Sequence, residues 1–214
     1  MQDIQKIVLS IVPLLFAIII HEVSHGWVAE KLGDPTARML GRITLNPIPH
    51  IDLIGTIIIP GILLLTGSHF LFGWAKPVPV NFANLRGGRR DMALVALSGP
   101  LSNFLLAVMS SIVFHLTSAG PAGSAAISDT IVVPIHEMAN YSVLFNLMLM
   151  VINLCPILPL DGGRIVAGLA PESIALSLAR MERYGMLIVL LLIASGMWSY
   201  LFTPVMYLFW HILM

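Results

Sequence analysis

The chain carries little charge of either sign. Only 10% of its 214 residues are charged, against 57% that are hydrophobic, whereas a soluble domain carries roughly a quarter charged residues. With a mean hydropathy of +0.92, most of the protein has lipid as its solvent, and a water-soluble globule is excluded. Lys+Arg and Asp+Glu are equal at 11 each. No excess of one sign therefore points to a charged partner, and there is neither a basic tail nor a nucleic-acid motif. Cysteine is nearly absent: the single Cys155 rules out an intramolecular disulfide and a cysteine-built zinc cluster, and leaves the redox compartment open. No internal repeat and no low-complexity segment occurs.

What the chain has instead is five apolar stretches, at about 4–29, 51–72, 92–117, 131–154 and 185–214. Each is near or above the roughly 20 residues a spanning helix needs. The first runs straight into HEVSHGWVA with no small-residue cleavage site between, so it reads as a retained membrane helix rather than a removed signal peptide. The last is long enough for one tilted helix, or for two broken near Pro204. The whole of 1–214 reads as one membrane-embedded domain, with a core over about 4–170 and a C-terminal membrane segment over about 185–214.

Basic residues orient these stretches. Lys31, Arg38 and Arg42 follow the first, Lys76, Arg86, Arg89 and Arg90 precede the third, and Arg164, Arg180 and Arg183 follow the fourth, while the segment between the third and fourth has none. Positive charge marks the cytoplasmic side. Three core crossings result: the first ends inside near Ala29, the next leaves near Met92 and ends outside near Thr117, and the last returns to end inside near Leu154. The run 51–72 has basic flanks on both sides, so it either folds back or is followed by a re-entrant stretch. GWAKPVPVNF, with two prolines and alternating side chains, reads as an extended hairpin. Non-helical backbone at membrane depth is tolerated only inside protein or beside a wet cavity, which places Lys76, Pro77, Val78, Pro79 and Val80 next to a functional cavity.

His21-Glu22-Val23-Ser24-His25 carries the chemistry. Residues four apart share a helix face, so His21 and His25 can hold one metal ion, and Glu22, about 100° around the helix, can reach a water beside it as general base. Ionisable groups at the end of an apolar run are costly and functional by default; the structural alternative is a hydrogen-bonded polar cluster at a helix end. A zinc site needs a third protein ligand. Asp161 in NLCPILPLDGGR is the candidate: Pro156 and Pro159 end the fourth helix, and Gly162 and Gly163 let the chain turn. Charge bias and motif position put all three in the cytoplasmic half of the bilayer. The alternative for LDGG is a turn with a helix-capping aspartate.

HEVSHG on a membrane helix, followed far downstream by Asn153, Pro156, Pro159 and then LDGG, resembles the site-2 protease family of intramembrane zinc proteases, in particular its short bacterial members without PDZ or CBS domains. GRITLNPIPHIDLIGTIIIP, FGWAKPVPVN and SGPLSN add to the resemblance, which spans most of the chain. It implies an α-helical polytopic membrane protein: a three-helix catalytic core, a membrane re-entrant strand hairpin and one or more further C-terminal helices. It implies one Zn2+ per chain on His21, His25 and Asp161, Glu22 as catalytic base, and Asn153 as a group that stabilises the reacting carbonyl or positions substrate. It implies hydrolysis of peptide bonds in transmembrane protein substrates, unwound against the re-entrant strands, in the cell (inner) membrane with the active site towards the cytoplasm.

Other residues carry two readings each. His50 and Asp52 either line the cavity, with His50 binding the ion in a closed state, or mark a helix start. Asn103 either reaches the active-site helices or is interhelical glue. Cys155 is either a metal ligand or redox handle, or a small buried side chain. Two other functions compete with the protease: a non-catalytic membrane zinc-binding protein, either sensor or transporter, and an inactive scaffold. The near absence of acids between 92 and 131 speaks against a transport path, and the intact Glu22 against a scaffold.

Overall fold

The computed structural model describes residues 2–66, 73–118 and 127–214. In chain order its α-helices are α1 (Gln2–Leu32), α2 (Thr36–Met39), α3 (Ile59–Leu65), α4 (Arg89–Ser118), α5 (Ile127–Asn153), α6 (Asp161–Leu169), α7 (Glu172–Ala194) and α8 (Met197–Leu213). Helices α1, α4 and α5 carry stretches long and apolar enough to cross a membrane, of 28, 30 and 24 residues. At 1.5 Å per residue even the shortest of these covers about 36 Å, more than the hydrocarbon thickness. These are the three core crossings expected from the sequence, and the protein is a polytopic helical membrane protein.

Packing follows from the solvent. Lipid offers no hydrophobic gain for bringing helices together, so small residues and buried hydrogen bonds decide the contacts. Helix α4 lies against α1, α5 and α6, and its buried positions are mostly small: Ala93, Ala96, Gly99, Ala107 and Ser111. Large side chains such as Ile7, Ile11, Phe16, Leu105 and Met109 are turned outward. Helix α8 packs on α5, where Phe202, Met206 and Phe209 cover the buried Val143, Leu147 and Val151.

Of the apolar run 51–72, the described residues 51–66 do not form one spanning helix. Its described part is a wide π-type turn over Leu53–Ile58 continued by α3, and those 13 residues rise only about 20 Å. The extended stretch expected at GWAKPVPVNF is non-helical over 73–81. It is not paired as a strand hairpin, since no β-strand forms among the described residues. Instead it is held to loops: Trp74 donates its N–H to Gly55 C=O at 3.1 Å, Lys76 to His50 C=O at 2.9 Å, and Arg42 donates to Lys76 C=O at 2.8 Å. Two prolines, lacking N–H groups, deny that segment a regular ladder.

The C-terminal segment is two helices, α7 and α8, bent by 82°. The break lies at Gly196, whose φ is +74, and not near Pro204, which sits inside α8. Only glycine enters the left-handed region freely, whereas a proline inside a helix can be absorbed with the loss of one hydrogen bond.

The end of α1 is tied to the non-helical segment through one carboxylate. Gly33, with φ +118, lets the chain leave the helix, and Asp34 N–H closes on Ala29 C=O at 2.9 Å, the wide bond of a Schellman end. The Asp34 side chain is fully buried and accepts from Thr36, from Asn81 N–H at 2.7 Å and from Asn84 Nδ2 at 2.8 Å. Burial alone would raise its pKa, but those hydrogen bonds outweigh it and hold the carboxyl below its usual value. A carboxylate depressed in this way contributes stability above its unfolded-state pKa, and that stability is lost as pH falls through the folded-state value. Thermal unfolding in detergent is therefore expected to show an acid-sensitive limb below roughly pH 4. In Asp34→Asn the limb flattens, and the variant also melts lower at neutral pH. An unchanged limb would remove Asp34 as its source.

Candidate metal centre

Helix α1 presents His21 and His25 on one face, and the first turn of α6 presents Asp161 to them. His21 Nε2 lies 3.1 Å from Asp161 Oδ2, His25 Nε2 lies 3.3 Å from the same oxygen, and the two Nε2 atoms are 3.1 Å apart. Donors bound tetrahedrally to one zinc ion at its usual bond lengths stand about 3.3 Å from each other, so the three atoms already mark one face of such a tetrahedron. Their side chains are 8%, 12% and 13% exposed, which keeps bulk water from competing for the lone pairs.

The hydrogen bonds behind the rings explain why those lone pairs converge. His21 Nδ1 faces Asn103 Oδ1 at 2.6 Å, and His25 Nδ1 faces the Val95 carbonyl at 2.8 Å. Both partners are acceptors, so both Nδ1 atoms carry the proton and both Nε2 atoms are bare. Asp161 Oδ2 is buried and receives no hydrogen bond. Three electron-rich atoms packed this closely repel unless a cation sits among them. The residues present therefore fit a metal ion, and His21, His25 and Asp161 form such a group.

Local sequence supports this geometry at two close approaches. A Cβ on Gly99 would stand 2.5 Å from His25 Nε2 and 2.6 Å from His21 Cε1, so only glycine lets α4 pass the two rings. A Cβ on Gly162 would meet Leu154 C=O at 2.2 Å, so only glycine lets α6 start against the turn that ends α5. Asp161 does not cap its helix: the N-cap is Leu160, with no side-chain cap bond. The capping-turn alternative for LDGG is thus set aside.

A cavity of about 360 Å³ opens beside the group, lined in part by Glu22, Pro77, Val78, Val80, Asn153 and Arg164. Glu22 Oε2 accepts the Val78 N–H at 2.7 Å, so the non-helical segment lies directly across the cavity from α1. Asn153 donates from Nδ2 to Leu149 C=O at 3.0 Å and borders the same cavity.

The structure does not bring every expected residue there. His50 is buried 6 residues from its partner Thr44, whose carbonyl stands 3.0 Å from its Nε2, and it is no part of the His21, His25 and Asp161 group. Asp52 caps the turn that follows it, accepting from Ile54 and Gly55 N–H. Lys76 and Pro79 are not among the residues lining the cavity, while their neighbours Pro77, Val78 and Val80 are. Asn103, expected as a possible cavity residue, lies behind His21 rather than in the cavity, and it also bonds Asn146. Cys155 is buried and is no part of the group. The reading of the sequence missed Arg164 and Phe82, which line the cavity with the Arg164 guanidinium 5.1 Å from the Phe82 ring centre. It also missed Asn146, whose signal was an amide inside an apolar run.

Fold and site define a class: a polytopic helical membrane protein whose core helices bring two histidines and a carboxylate within bonding distance of one ion, beside a glutamate. Over 197 residues the chain is 36% identical to "Putative zinc metalloprotease YwhC" of Bacillus subtilis, covering 92% of this chain and 84% of that protein. It is 27% identical over 207 residues to "Putative zinc metalloprotease Rip2" of Mycolicibacterium smegmatis, covering 94% of this chain and 73% of the relative. No family model and no solved structure matches it. The chain belongs to the site-2 protease family of zinc metalloproteases.

Proposed function

We propose that the protein is a zinc endopeptidase that hydrolyses peptide bonds in transmembrane segments of other proteins, in the cell membrane and from the cytoplasmic side. The convergence of His21 Nε2, His25 Nε2 and Asp161 Oδ2, with both imidazoles protonated on the outer nitrogen, carries this reading. When bound, zinc supplies Lewis acidity to a carbonyl oxygen and to water.

The other roles fall to the chain itself. Glu22, next to His21 on α1 and facing the cavity, takes a proton from the attacking water and returns it to the leaving nitrogen. Asn153, whose amide has a second N–H beyond the one given to Leu149, donates to the oxygen that becomes negative. The non-helical segment over Pro77, Val78 and Val80 holds the substrate extended, because a helical substrate hides its carbonyls in its own hydrogen bonds. Asp34, by tying Asn81 and Asn84 to the end of α1, keeps that segment at its distance from Glu22.

The orientation rests on charge. The end of α1, the start of α4 and the end of α5 carry or adjoin Lys31, Arg38, Arg42, Arg89, Arg90 and Arg164, which favours the cytoplasm for that end. His25 lies seven residues before the end of α1, about 10 Å of rise. That depth suits a site inside the membrane yet open to water through the cavity.

The test pairs metal content with cleavage. The chain purified in detergent is expected to hold about one zinc and to cut members of a panel of single-span substrates within the apolar segment, with activity lost to a chelator and restored by zinc. A chain that binds no zinc would sink the metal reading. Cleavage that survives complete zinc removal would sink the mechanism.

A further inference from the structure

Resting on the metal reading above, the geometry points to Asn146, one hydrogen bond further from the site than Asn103, as a positioning residue that, together with Ala17 C=O, holds Asn103 so that Nε2 of His21 faces the metal. The chain of bonds runs across three helices. His21 Nδ1 lies 2.6 Å from Asn103 Oδ1. Asn103 Nδ2 donates to Ala17 C=O at 3.1 Å and to Asn146 Oδ1 at 2.8 Å. Asn146 Nδ2 donates to Ser142 C=O at 2.8 Å and to Ser142 Oγ at 3.2 Å. Asn103 and Asn146 are 0% and 1% exposed, so water cannot substitute for any of these partners.

The direction of the chain is fixed at two backbone carbonyls, Ala17 C=O beside Asn103 and Ser142 C=O beside Asn146. A backbone carbonyl only accepts, so Ser142 C=O forces Asn146 to turn its NH2 that way and its oxygen towards Asn103. That oxygen, with Ala17 C=O, takes both hydrogens of the Asn103 amide, leaving Asn103 Oδ1 for His21. Flipping Asn103 would set its oxygen against two acceptors in a buried site, which is costly. With Asn103 Oδ1 fixed as acceptor, His21 must hold its proton on Nδ1 and offer Nε2 to the ion. The metal ligand on α1 is thus oriented by an amide on α5 through an amide on α4. The same contact sets the register of α5, on which Asn153 stands two turns beyond Asn146.

The experiment is a double-mutant cycle on the full chain in detergent. It reads zinc affinity by competition with a chelating dye, and the visible spectrum after cobalt substitution. Asn146→Leu suits an apolar helix and does not threaten insertion. It is expected to weaken zinc binding about 10- to 100-fold, the range for loss of a ligand's outer partner, and to alter the cobalt bands. Asn146→Asp is expected to bind close to wild type, because a protonated buried carboxyl offers the same acceptor to Asn103 and the same donor to Ser142. In an Asn103→Leu background, Asn146→Leu is expected to add nothing, since its effect passes through Asn103. Wild-type affinity in Asn146→Leu overturns the inference. So does a further loss in the Asn103→Leu background, which also decides the matter if the single variant does not fold. A wild-type chain without zinc affinity would instead sink the metal reading itself, and this inference with it.

Discussion

Glu22→Gln is expected to lower the cleavage rate by about 10³- to 10⁴-fold, the upper range for loss of a positioned general base, while zinc content stays at the wild-type level. The separation follows from where the two jobs sit. The group that could hold the metal is His21, His25 and Asp161, and Glu22 is no part of it. A glutamine keeps the shape of the side chain and keeps an oxygen to accept the Val78 N–H, the bond that joins α1 to the segment across the cavity. What it lacks is a group able to take a proton from water. Single-turnover cleavage at saturating enzyme, measured beside metal content and melting temperature, separates the outcomes. Retained activity would remove Glu22 as the base. Lost metal would move Glu22 from proton transfer to the architecture of the centre.

Asp161→Ala is expected to abolish both metal retention and cleavage. The carboxylate is the one anionic member of the three and the one not carried by α1, so without it two imidazoles on a single helix remain. Zinc affinity should fall well beyond the roughly 10- to 100-fold that loss of an outer partner costs, and the variant should emerge from dialysis empty. The fold should survive. Asp161 does not cap α6, and the tight approach of α6 to the turn before it depends on Gly162 and Gly163, which stay in place. Metal analysis and far-ultraviolet circular dichroism on the same sample test both halves. Full zinc content in Asp161→Ala would break the assignment of the third ligand. Taken together the two variants distinguish a centre that holds metal from a group that uses it: one loses activity with metal, the other without.

Much of this was legible before any coordinates, and the reason is that the legible parts are local. Membrane residence follows from composition, the three crossings from the length of apolar runs, and the pairing of His21 with His25 from the helical repeat. Each depends on residues within a few turns of one another. Proline marked the irregular stretches at 73–81 and 154–160 for the same reason, since its backbone limits act at one position, whereas Gly162 and Gly163, expected to let the chain turn, lie in the first turn of α6. Where two local devices compete the outcome is not local: Pro204 offers a break in the C-terminal segment, but Gly196 makes it, because the left-handed turn costs glycine almost nothing.

The rest depends on which helix faces meet. By itself the sequence determined a lipid-soluble helical protein, a two-histidine face with a glutamate beside it, and a detached carboxylate on an irregular turn. Only the tertiary structure decided that Asp161 closes on that face, that Gly99 makes room for both rings, that Val78 reaches Glu22, and that Asn103 and Asn146 meet behind His21. In lipid the apolar pattern says which residues avoid water but not which helix they touch. That choice falls to small-residue contacts and buried hydrogen bonds between residues far apart in the chain, and no periodicity records it.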